Sequence, residues 1–271
     1  MATPEREARI MVSRPELSDQ RPPLREFLHE NDPCLFARER LRIPLEPAQE
    51  NVLRATGPRV ILNCTRQWGK STLGACMALH RAHHRPGALI LIVGPIQRQS
   101  SELVEKIRDL AIRMGYDPKG DGHNECSIRL PNGSRIVSLP GVERNVRGFS
   151  SASLILVDEA SRVPDILYRA IRPSLANSRG DVWLMSTPCG KHGFFFETWE
   201  NTALKWNRIA VKATDCPRFT PEFLAEERIV QGEDMFRQEY LCEFVDNEEN
   251  IFTYEEIMRA VRDGPLPIWK P

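Results

Sequence analysis

Short runs of consecutive apolar residues divide the chain and predict buried β-strands. Most of these runs are almost entirely apolar instead of alternating with polar residues, which is typical of strands covered on both faces. Such strands belong to parallel sheets with helices on either side. The predicted strands are Arg59–Asn63, Ala88–Val93, Leu154–Val157, Val182–Met185 and Trp206–Val211.

Helical spacing of apolar residues separates these strands. Leu73, Met77 and His80 fall on one face of a helix predicted over Lys70–His84. Strands that alternate with helices predict an α/β fold with a central, mostly parallel sheet flanked by helices. Further helical spacing occurs in Ser100–Met114, in Pro164–Leu175 and in the acidic stretch from Pro221 to Val261.

The rest of the chain suggests a division into three parts. Two alternating runs, Cys126–Leu130 and Arg135–Leu139, flank a Pro-Asn-Gly turn and predict a β-hairpin within the core. Residues 1–40 lack periodicity and are interpreted as an N-terminal arm with one short helix, Leu24–His29. The core is then 41–214, and a lid subdomain with the start of a linker occupies 215–271.

Composition narrows the class of protein. The 271 residues are 41% hydrophobic and 27% charged, which is typical of a folded chain. There is no run of 18 apolar residues, and the first residues lack the apolar stretch of a secretory signal, so we expect no membrane span and no secretion. Seven scattered cysteines without a CxxC pair argue against a disulfide framework or a structural zinc site and favour a reducing cytosol.

The net charge of zero hides an asymmetry. Residues 215–271 carry 14 acidic and 6 basic residues, which leaves 23 acidic and 31 basic residues in 1–214. The basic excess of the first part is compatible with a phosphate-rich partner. An ordinary charged surface accounts for the same numbers, so the asymmetry alone does not indicate nucleic-acid binding.

A candidate phosphate-binding loop, residues 64–72, lies between a predicted strand and a predicted helix. In that position backbone N–H groups converge on a phosphate, Gly69 permits close approach, Lys70 reaches the phosphate oxygens and Ser71 supplies a hydroxyl to Mg²⁺. The sequence departs from the usual motif because Cys64 replaces its first glycine. The alternative is an ordinary helix N-terminus with an exposed lysine.

Two adjacent carboxylates follow the strand at Leu154–Val157. At the carboxyl end of a parallel strand, Asp158 is expected to face the same crevice as the phosphate loop and to hold Mg²⁺ through water. Glu159 is then placed to polarise an attacking water. A strand end that merely solvates two acids is the alternative. About 88 residues separate Lys70 from Asp158, which leaves room for the intervening β-α-β units.

Several polar residues near these motifs are further candidates. Ser186 and Thr187, followed by Pro188, end the fourth strand and are placed to sense the terminal phosphate; a capped strand end is the alternative. Arg147 or Arg144, in cis or from a neighbouring subunit, and Arg66 are candidates for neutralising charge that develops during phosphoryl transfer, and a surface salt bridge is the alternative for the first two. The Gln49 amide, a donor and an acceptor, is suited to pair with an adenine edge.

The chain resembles the ATPase domain of the large terminase subunit of tailed bacteriophages. The resemblance rests on PAQ at 47–49, TRQWGKST at 65–72, VRGFSSASLILVDEAS at 146–161 and MSTPCGKHGFF at 185–195, and it runs over roughly residues 40–245. It implies an additional-strand, catalytic-glutamate (ASCE, RecA-like) P-loop fold with a small helical C-terminal lid. The implied activity is Mg²⁺-dependent ATP hydrolysis that drives double-stranded DNA into an empty procapsid.

The resemblance also implies a role for each matching residue. Gln49 matches the adenine-recognition position, and Glu159 matches the catalytic acid. Arg147 resembles the trans-acting arginine of a ring, although Arg144 is close enough to leave the choice open. The Walker A loop would be Arg66, Gln67, Gly69, Lys70, Ser71 and Thr72; the magnesium ligands Ser71 and Asp158; and the coupling motif Ser186, Thr187 and Pro188.

Partners and location follow from the same resemblance. Double-stranded DNA, a portal protein and a small terminase subunit are the expected partners, and a homo-oligomeric ring, expected to be a pentamer, would assemble on the procapsid in the cytoplasm of the bacterial host. Large terminases also carry a nuclease domain, and the 27 residues after Phe244 are too few for it. We therefore expect an excised ATPase domain or a reduced relative, without DNA cleavage. A DEAD/DEAH-like helicase and a non-enzymatic nucleotide-binding scaffold are the alternatives.

Overall fold

Seven strands form one sheet whose order is β3-β4-β2-β5-β6-β1-β7. The computed structural model describes residues 23–55, 57–124, 126–139 and 148–246. All neighbouring strands run parallel except β3, which pairs antiparallel with β4. The strands are β1 (Arg59–Cys64), β2 (Leu89–Val93), β3 (Ser127–Arg129), β4 (Arg135–Ser138), β5 (Leu154–Asp158), β6 (Asp181–Ser186) and β7 (Asn207–Val211).

Nine α-helices lie in the described ranges. Short 3₁₀ turns follow β5 at Ala160–Arg162, α6 at Arg172–Leu175 and β7 at Ala213–Asp215. The helices are α1 (Leu24–Asn31), α2 (Pro33–Glu39), α3 (Pro47–Leu53), α4 (Lys70–His84), α5 (Gln97–Arg113), α6 (Asp165–Ile171), α7 (Gly193–Glu200), α8 (Pro221–Gln231) and α9 (Glu233–Leu241).

The central apolar runs form strands with both faces buried, whereas the edge strand β7 is buried only at Val211. On β5, Leu156 belongs to the core cluster under α4 and α5, whereas Ile155 and Val157 belong to the cluster under α6 and α7. Each fully buried aliphatic side chain contributes roughly 1.5–3 kcal/mol relative to exposure. All five predicted strands, the hairpin and the predicted α/β fold class are confirmed.

The position of β6 determines the geometry of the site. It lies between β1 and β5, with Ile61 of β1 and Val157 of β5 both in register with Leu184. One additional strand therefore separates the strand before the candidate phosphate loop from the strand that ends in the acidic pair. Since all three strands are parallel, their carboxyl ends meet at one edge of the sheet.

The N-terminal segment differs from the predicted arm. Helix α1 is present, but a second helix, α2, follows it because Asp32 caps it, accepting hydrogen bonds from the N–H groups of Cys34 and Leu35. Phe36 of α2 is fully buried in the same core cluster as β1. This part of 1–40 thus packs as core, while the division of the chain at residues 40 and 214 stays a prediction.

The described part of the lid is a helical pair. Phe236 and Tyr240 of α9 stack on each other and bury a small cluster with Ala213. Helix α8 buries none of its residues. The predicted helical stretch towards Val261 lies outside the described residues from 247 onwards. Nowhere in the described ranges is a helix long and apolar enough to cross a membrane.

Candidate phosphate-binding and hydrolysis site

The sheet edge at the carboxyl ends of β1, β5 and β6 brings the predicted motifs together. The loop after β1 leads into α4, the acidic pair closes β5, and the Ser-Thr-Pro segment closes β6. One hydrogen bond joins the first two motifs, since Ser71 Oγ donates to Asp158 Oδ2 over 2.9 Å. The motifs that the sequence separates by many residues therefore form one site.

Gly69 shapes the turn into α4. Its φ is +103°, and a Cβ at this position would lie 3.0 Å from Gln49 Nε2. Glycine adopts this left-handed conformation without a steric penalty. No side chain caps α4 at this residue. The first N–H groups of a helix lack intrahelical partners, so the turn presents them as a cradle for an anion.

Lys70 lies inside this loop. Its side chain is buried, and Nζ donates to the carbonyl oxygens of Cys64 over 3.2 Å and of Thr65 over 3.1 Å. This burial argues against the alternative of an exposed lysine at an ordinary helix start. A buried ammonium held by neutral carbonyls has no paired anion among these contacts, which suits it to meet a phosphate.

Asp158 is a buried carboxylate next to a second acid. Burial chiefly, and then the charge of Glu159, raise the pKa of Asp158. Its oxygens and the Ser71 hydroxyl form an oxygen donor set, the type that Mg²⁺ prefers. A divalent cation would compensate the charge that burial disfavours, so the residues present fit the magnesium site that the resemblance implies.

Glu159 has an unusual backbone conformation. Its φ of 49° and ψ of 45° are left-handed, and its N–H donates to Asp158 Oδ1 over 3.1 Å. A non-glycine residue in this region costs of order 1–3 kcal/mol, and such strain concentrates at functional sites. The turn separates the two adjacent carboxylates, so that Asp158 stays buried while Glu159 is partly exposed.

An arginine that the sequence patterns do not single out holds the Glu159 side chain. Arg162 Nη1 donates to Glu159 Oε2 over 3.1 Å and to Thr187 Oγ1 over 3.2 Å. Its Nη2 donates to Glu239 Oε1 of the lid over 3.0 Å. A single guanidinium therefore bridges the acidic pair, the Ser-Thr-Pro segment and α9.

The lid is also fastened to the phosphate loop. Glu239 is buried, and its carbonyl oxygen accepts hydrogen bonds from Thr65 Oγ1 over 3.0 Å and from the N–H of Arg66 over 3.2 Å. The side-chain amide of Asn63 in β1 donates to the carbonyl of Cys242, just after α9, over 2.8 Å. Arg66, which is 62% exposed, reaches the Glu239 carboxylate at 3.7 Å. The phosphate loop and α9 are thus joined by hydrogen bonds and by an ion pair.

The Ser-Thr-Pro segment contacts the turn after the acidic pair. Ser186 Oγ accepts a hydrogen bond from the N–H of Ser161 over 3.2 Å and lies 2.7 Å from Ser161 Oγ, which in turn donates to the Thr187 carbonyl. Ser186, Thr187 and Pro188 are all buried. These contacts tie the three residues to the acidic pair, although their role in coupling stays a prediction.

The remaining predicted site residues lie partly beside the loop and partly outside the described residues. The Gln49 amide donates to the Trp68 carbonyl over 2.9 Å and accepts from the N–H of Glu46 over 3.0 Å. It therefore supports the loop, and adenine recognition by it stays a prediction.

Gln67 has a positive φ of 57° within the same loop, and Thr72 lies in the first turn of α4. Arg144 and Arg147 lie outside the described residues.

Comparisons with known proteins agree with this architecture. The family model described as "Terminase large subunit, T4likevirus-type, N-terminal" matches residues 61–259. The chain belongs to the terminase large subunit family. The predicted resemblance is thereby confirmed, and the matched range runs from β1 past the end of the described lid.

Individual terminases show the same relationship. The large subunit of Escherichia phage T5 is 27% identical over 224 residues, 79% of this chain and 50% of that protein. The large subunit of Thermus virus P23-45 is 25% identical over 236 residues, 74% of this chain and 48% of that protein. The chain therefore spans about half the length of the curated terminases it matches.

A solved terminase ATPase domain shares the fold. The large terminase ATPase domain of Thermus phage P74-26 aligns with a TM-score of 0.65 at 24% identity, covering 77% of this chain and 97% of that domain. The large terminase of bacteriophage HK97 aligns with a TM-score of 0.60 at 16% identity, over 74% of this chain and 51% of that protein.

Proposed function

We propose that this chain is the ATP-hydrolysing motor part of a large terminase subunit and powers the movement of double-stranded DNA into a procapsid. The grouping of Lys70, Ser71, Asp158 and Glu159 at one sheet edge is the observation that carries the proposal. A large terminase from a thermophilic bacteriophage, 12% identical, has been solved with ADP and with ATP-γ-S, which supports a nucleotide as the ligand. A helicase has less support, because the matching family and relatives are terminases.

Each residue of the site would make a different contact with ATP. Lys70 and the N–H groups at the start of α4 bind the β- and γ-phosphates, and Arg66 in the same loop neutralises further charge. Ser71 and Asp158 would hold Mg²⁺, which spreads the charge of the phosphates when bound. The Glu159 carboxylate orients a water in line with the γ-phosphorus and accepts its proton. The new P–O bond forms as the β–γ bridging oxygen leaves with ADP.

A ring of subunits would complete the site. Arg147, or Arg144 beside it, would enter from the neighbouring subunit and stabilise charge on the equatorial oxygens. DNA, a portal protein and a small terminase subunit are the partners proposed for the whole assembly in the host cytoplasm. Because packaging accepts any sequence, we expect the grip on DNA to be made to phosphates.

The motor function predicts ATP hydrolysis that depends on DNA. Double-stranded DNA of unrelated sequences should stimulate the turnover of the purified chain equally, and the stimulation should fall steeply as salt rises, because each phosphate contact releases counterions. Steady-state phosphate release with and without DNA, at several salt concentrations, measures this. If the chain binds ATP but DNA does not change its rate of phosphate release at any salt concentration, the chain is an ATPase without the motor role.

Arg162 is proposed as a positioning residue within this cycle. It holds the Glu159 carboxylate while also contacting Glu239 on the lid, so lid movement and the orientation of Glu159 are linked through it. Arg162→Ala should leave nucleotide affinity nearly unchanged but reduce the ratio of DNA-stimulated to basal turnover by about threefold to tenfold. The contact is charge-assisted but partly exposed, which sets this modest size.

Two further variants sharpen this measurement. Arg162→Lys keeps the charge but cannot bridge three acceptors with a planar fork, so it should lie between wild type and Arg162→Ala. Arg169→Ala is the matched control, because Arg169 is 73% exposed and pairs with Asp165 one turn before it on α6. If Arg162→Ala retains the full stimulation ratio, Arg162 has only a structural role.

A further inference from the structure

Four of the six histidines lie together at the edge of the sheet opposite the phosphate loop. They come from α1 and from the last turns of α4, and their rings surround Phe36 with centroid separations of 5.2 to 6.4 Å. These four are His29, His80, His83 and His84. The nucleotide site uses none of them, so hydrolysis of ATP does not account for the cluster.

Three side chains of this cluster converge on one point. His83 Nε2 lies 2.9 Å from Glu26 Oε1, and His84 Nδ1 lies 3.7 Å from the same oxygen. One ligand atom from each of the three residues falls within 4.8 Å of the others. Tetrahedral Zn²⁺ with bonds of about 2.0–2.1 Å separates its ligand atoms by about 3.3 Å, a value that lies between these two distances.

We propose that Glu26, His83 and His84 bind a divalent transition-metal ion of the zinc type. Two imidazoles and one carboxylate form a donor set that such ions use, with a fourth position left for water or another ligand. The site lies at the C-terminal end of α4, where the helix dipole favours a cation. The cysteine spacing predicted no zinc site, and this one uses no cysteine.

Two imidazoles of the cluster each keep one buried nitrogen without a hydrogen-bond partner. His84 Nε2 and His29 Nδ1 are buried and have no hydrogen-bond partner among the described residues, and the two side chains are only 6% and 4% exposed. The His84 Nδ1 distance of 3.7 Å to Glu26 also exceeds hydrogen-bond range. His29 Nδ1 lies 4.0 Å from Glu26 Oε2, whereas His83 and His84 approach Oε1 of the same carboxylate.

The second ring nitrogen of His83 has a partner of its own. His83 Nδ1 contacts the Tyr116 hydroxyl, which either donates or accepts. With His83 Nε2 bound to the ion, the Nδ1–H therefore finds an acceptor in the Tyr116 hydroxyl, the usual support for a metal-bound histidine.

Solvent reaches the proposed metal site, and an arginine competes with a metal ion for its carboxylate. The Glu26 side chain is 35% exposed, so solvent reaches the site at its carboxylate. His84 also lines a cavity of about 750 Å³, which Glu26 and His83 do not line. Arg40 lies 3.6 Å from Glu26 and competes with a cation for the carboxylate. A bound ion would fasten α1 to the end of α4, the helix that begins at Lys70.

Calorimetric titration of the chelator-treated full chain with Zn²⁺, in excess Mg²⁺ to occupy the nucleotide site, tests the proposal. We expect one equivalent bound, with affinity reduced at least tenfold in His83→Ala/His84→Ala and in Glu26→Gln. His123→Ala and His192→Ala replace the two histidines outside the cluster and should bind as wild type does. Equal binding by the double variant, or no binding by wild type, overturns the proposal.

Three readouts guard against misfolding and against binding of the ion to one of the seven cysteines. Tyr116→Phe keeps all three ligands and should weaken binding by about 10–100-fold, the size typical of lost support to a ligating histidine. Co²⁺ bound at the site should give visible d–d bands without a thiolate charge-transfer band. A thiolate band would assign the ion to a cysteine and overturn the assignment. Zn²⁺ should raise the Tm of wild type but not of Glu26→Gln.

Discussion

Glu159→Gln should leave ATP bound and prevent its cleavage. The amide keeps the size of the side chain and can still accept a hydrogen bond from Arg162, but it cannot take a proton from water. We expect turnover to fall by about 10²–10⁴-fold, the usual contribution of a positioned general base. Phosphate release gives the turnover, and equilibrium binding of a fluorescent ATP analogue gives the affinity.

The control for this variant is Glu197→Gln, which changes an exposed glutamate on α7. It should turn over ATP like wild type. If Glu159→Gln instead loses nucleotide affinity with turnover of bound ATP unchanged, Glu159 belongs to the binding contacts and another group activates water.

Mixing two inactive variants addresses the arginine that lies outside the described residues. In an assembled ring, Glu159→Gln protein retains Arg147, and Arg147→Ala protein retains Glu159. If Arg147 acts across subunits, the mixture contains some complete sites and should regain part of the turnover. The same mixture with Arg144→Ala distinguishes the two candidates. Absence of rescue in an assembly verified by light scattering would favour an arginine acting within its own subunit.

Lys70→Ala should abolish nucleotide binding or turnover. The Lys70 ammonium is a buried cation inside the loop, and its removal also leaves the carbonyls of Cys64 and Thr65 without this donor. Loss of one such electrostatic contact typically costs about 10²–10³-fold in rate. The measurements are phosphate release and nucleotide affinity, with circular dichroism to verify folding.

Lys205→Ala provides the comparison, because Lys205 is exposed and precedes β7, away from the loop. It should retain normal turnover. Undiminished hydrolysis in Lys70→Ala would mean that the loop after β1 does not hold the phosphates.

The sheet and the location of the site are predictable because they follow from local patterns. Strands such as β2 and β5 are apolar throughout, and a run this short and this apolar, bounded by turn residues, is typical of a strand buried on both faces. Once the sheet is parallel, the residues after β1 and β5 must share an edge, so the proximity of Lys70 and Asp158 follows without any knowledge of side-chain contacts.

Other features depend on contacts that no local pattern reveals. Helix α7 escapes prediction because its three phenylalanines, 194–196, are consecutive and all buried, so its apolar residues do not follow a helical period. Helices α2 and α3 have seven residues each, too few for a clear period. The bridge from Arg162 to Glu239 joins residues 77 positions apart, and charged residues of both signs are common throughout the chain.

Hydrogen bonds attach α9 to the end of β1, so the helical pair of the lid would move by tilting about this attachment. The α9 segment is bound at Thr65 and Asn63, whereas α8 buries no residue and is attached to α9 by contacts such as the hydrogen bond from Tyr240 Oη to Glu227. Eleven helical residues are about 16 Å long, so a tilt of about 12° about one end displaces the other by about 3.4 Å. That distance equals the rise of one base pair, so under the proposed motor role a small swing of the helical pair would suffice for one step along a duplex.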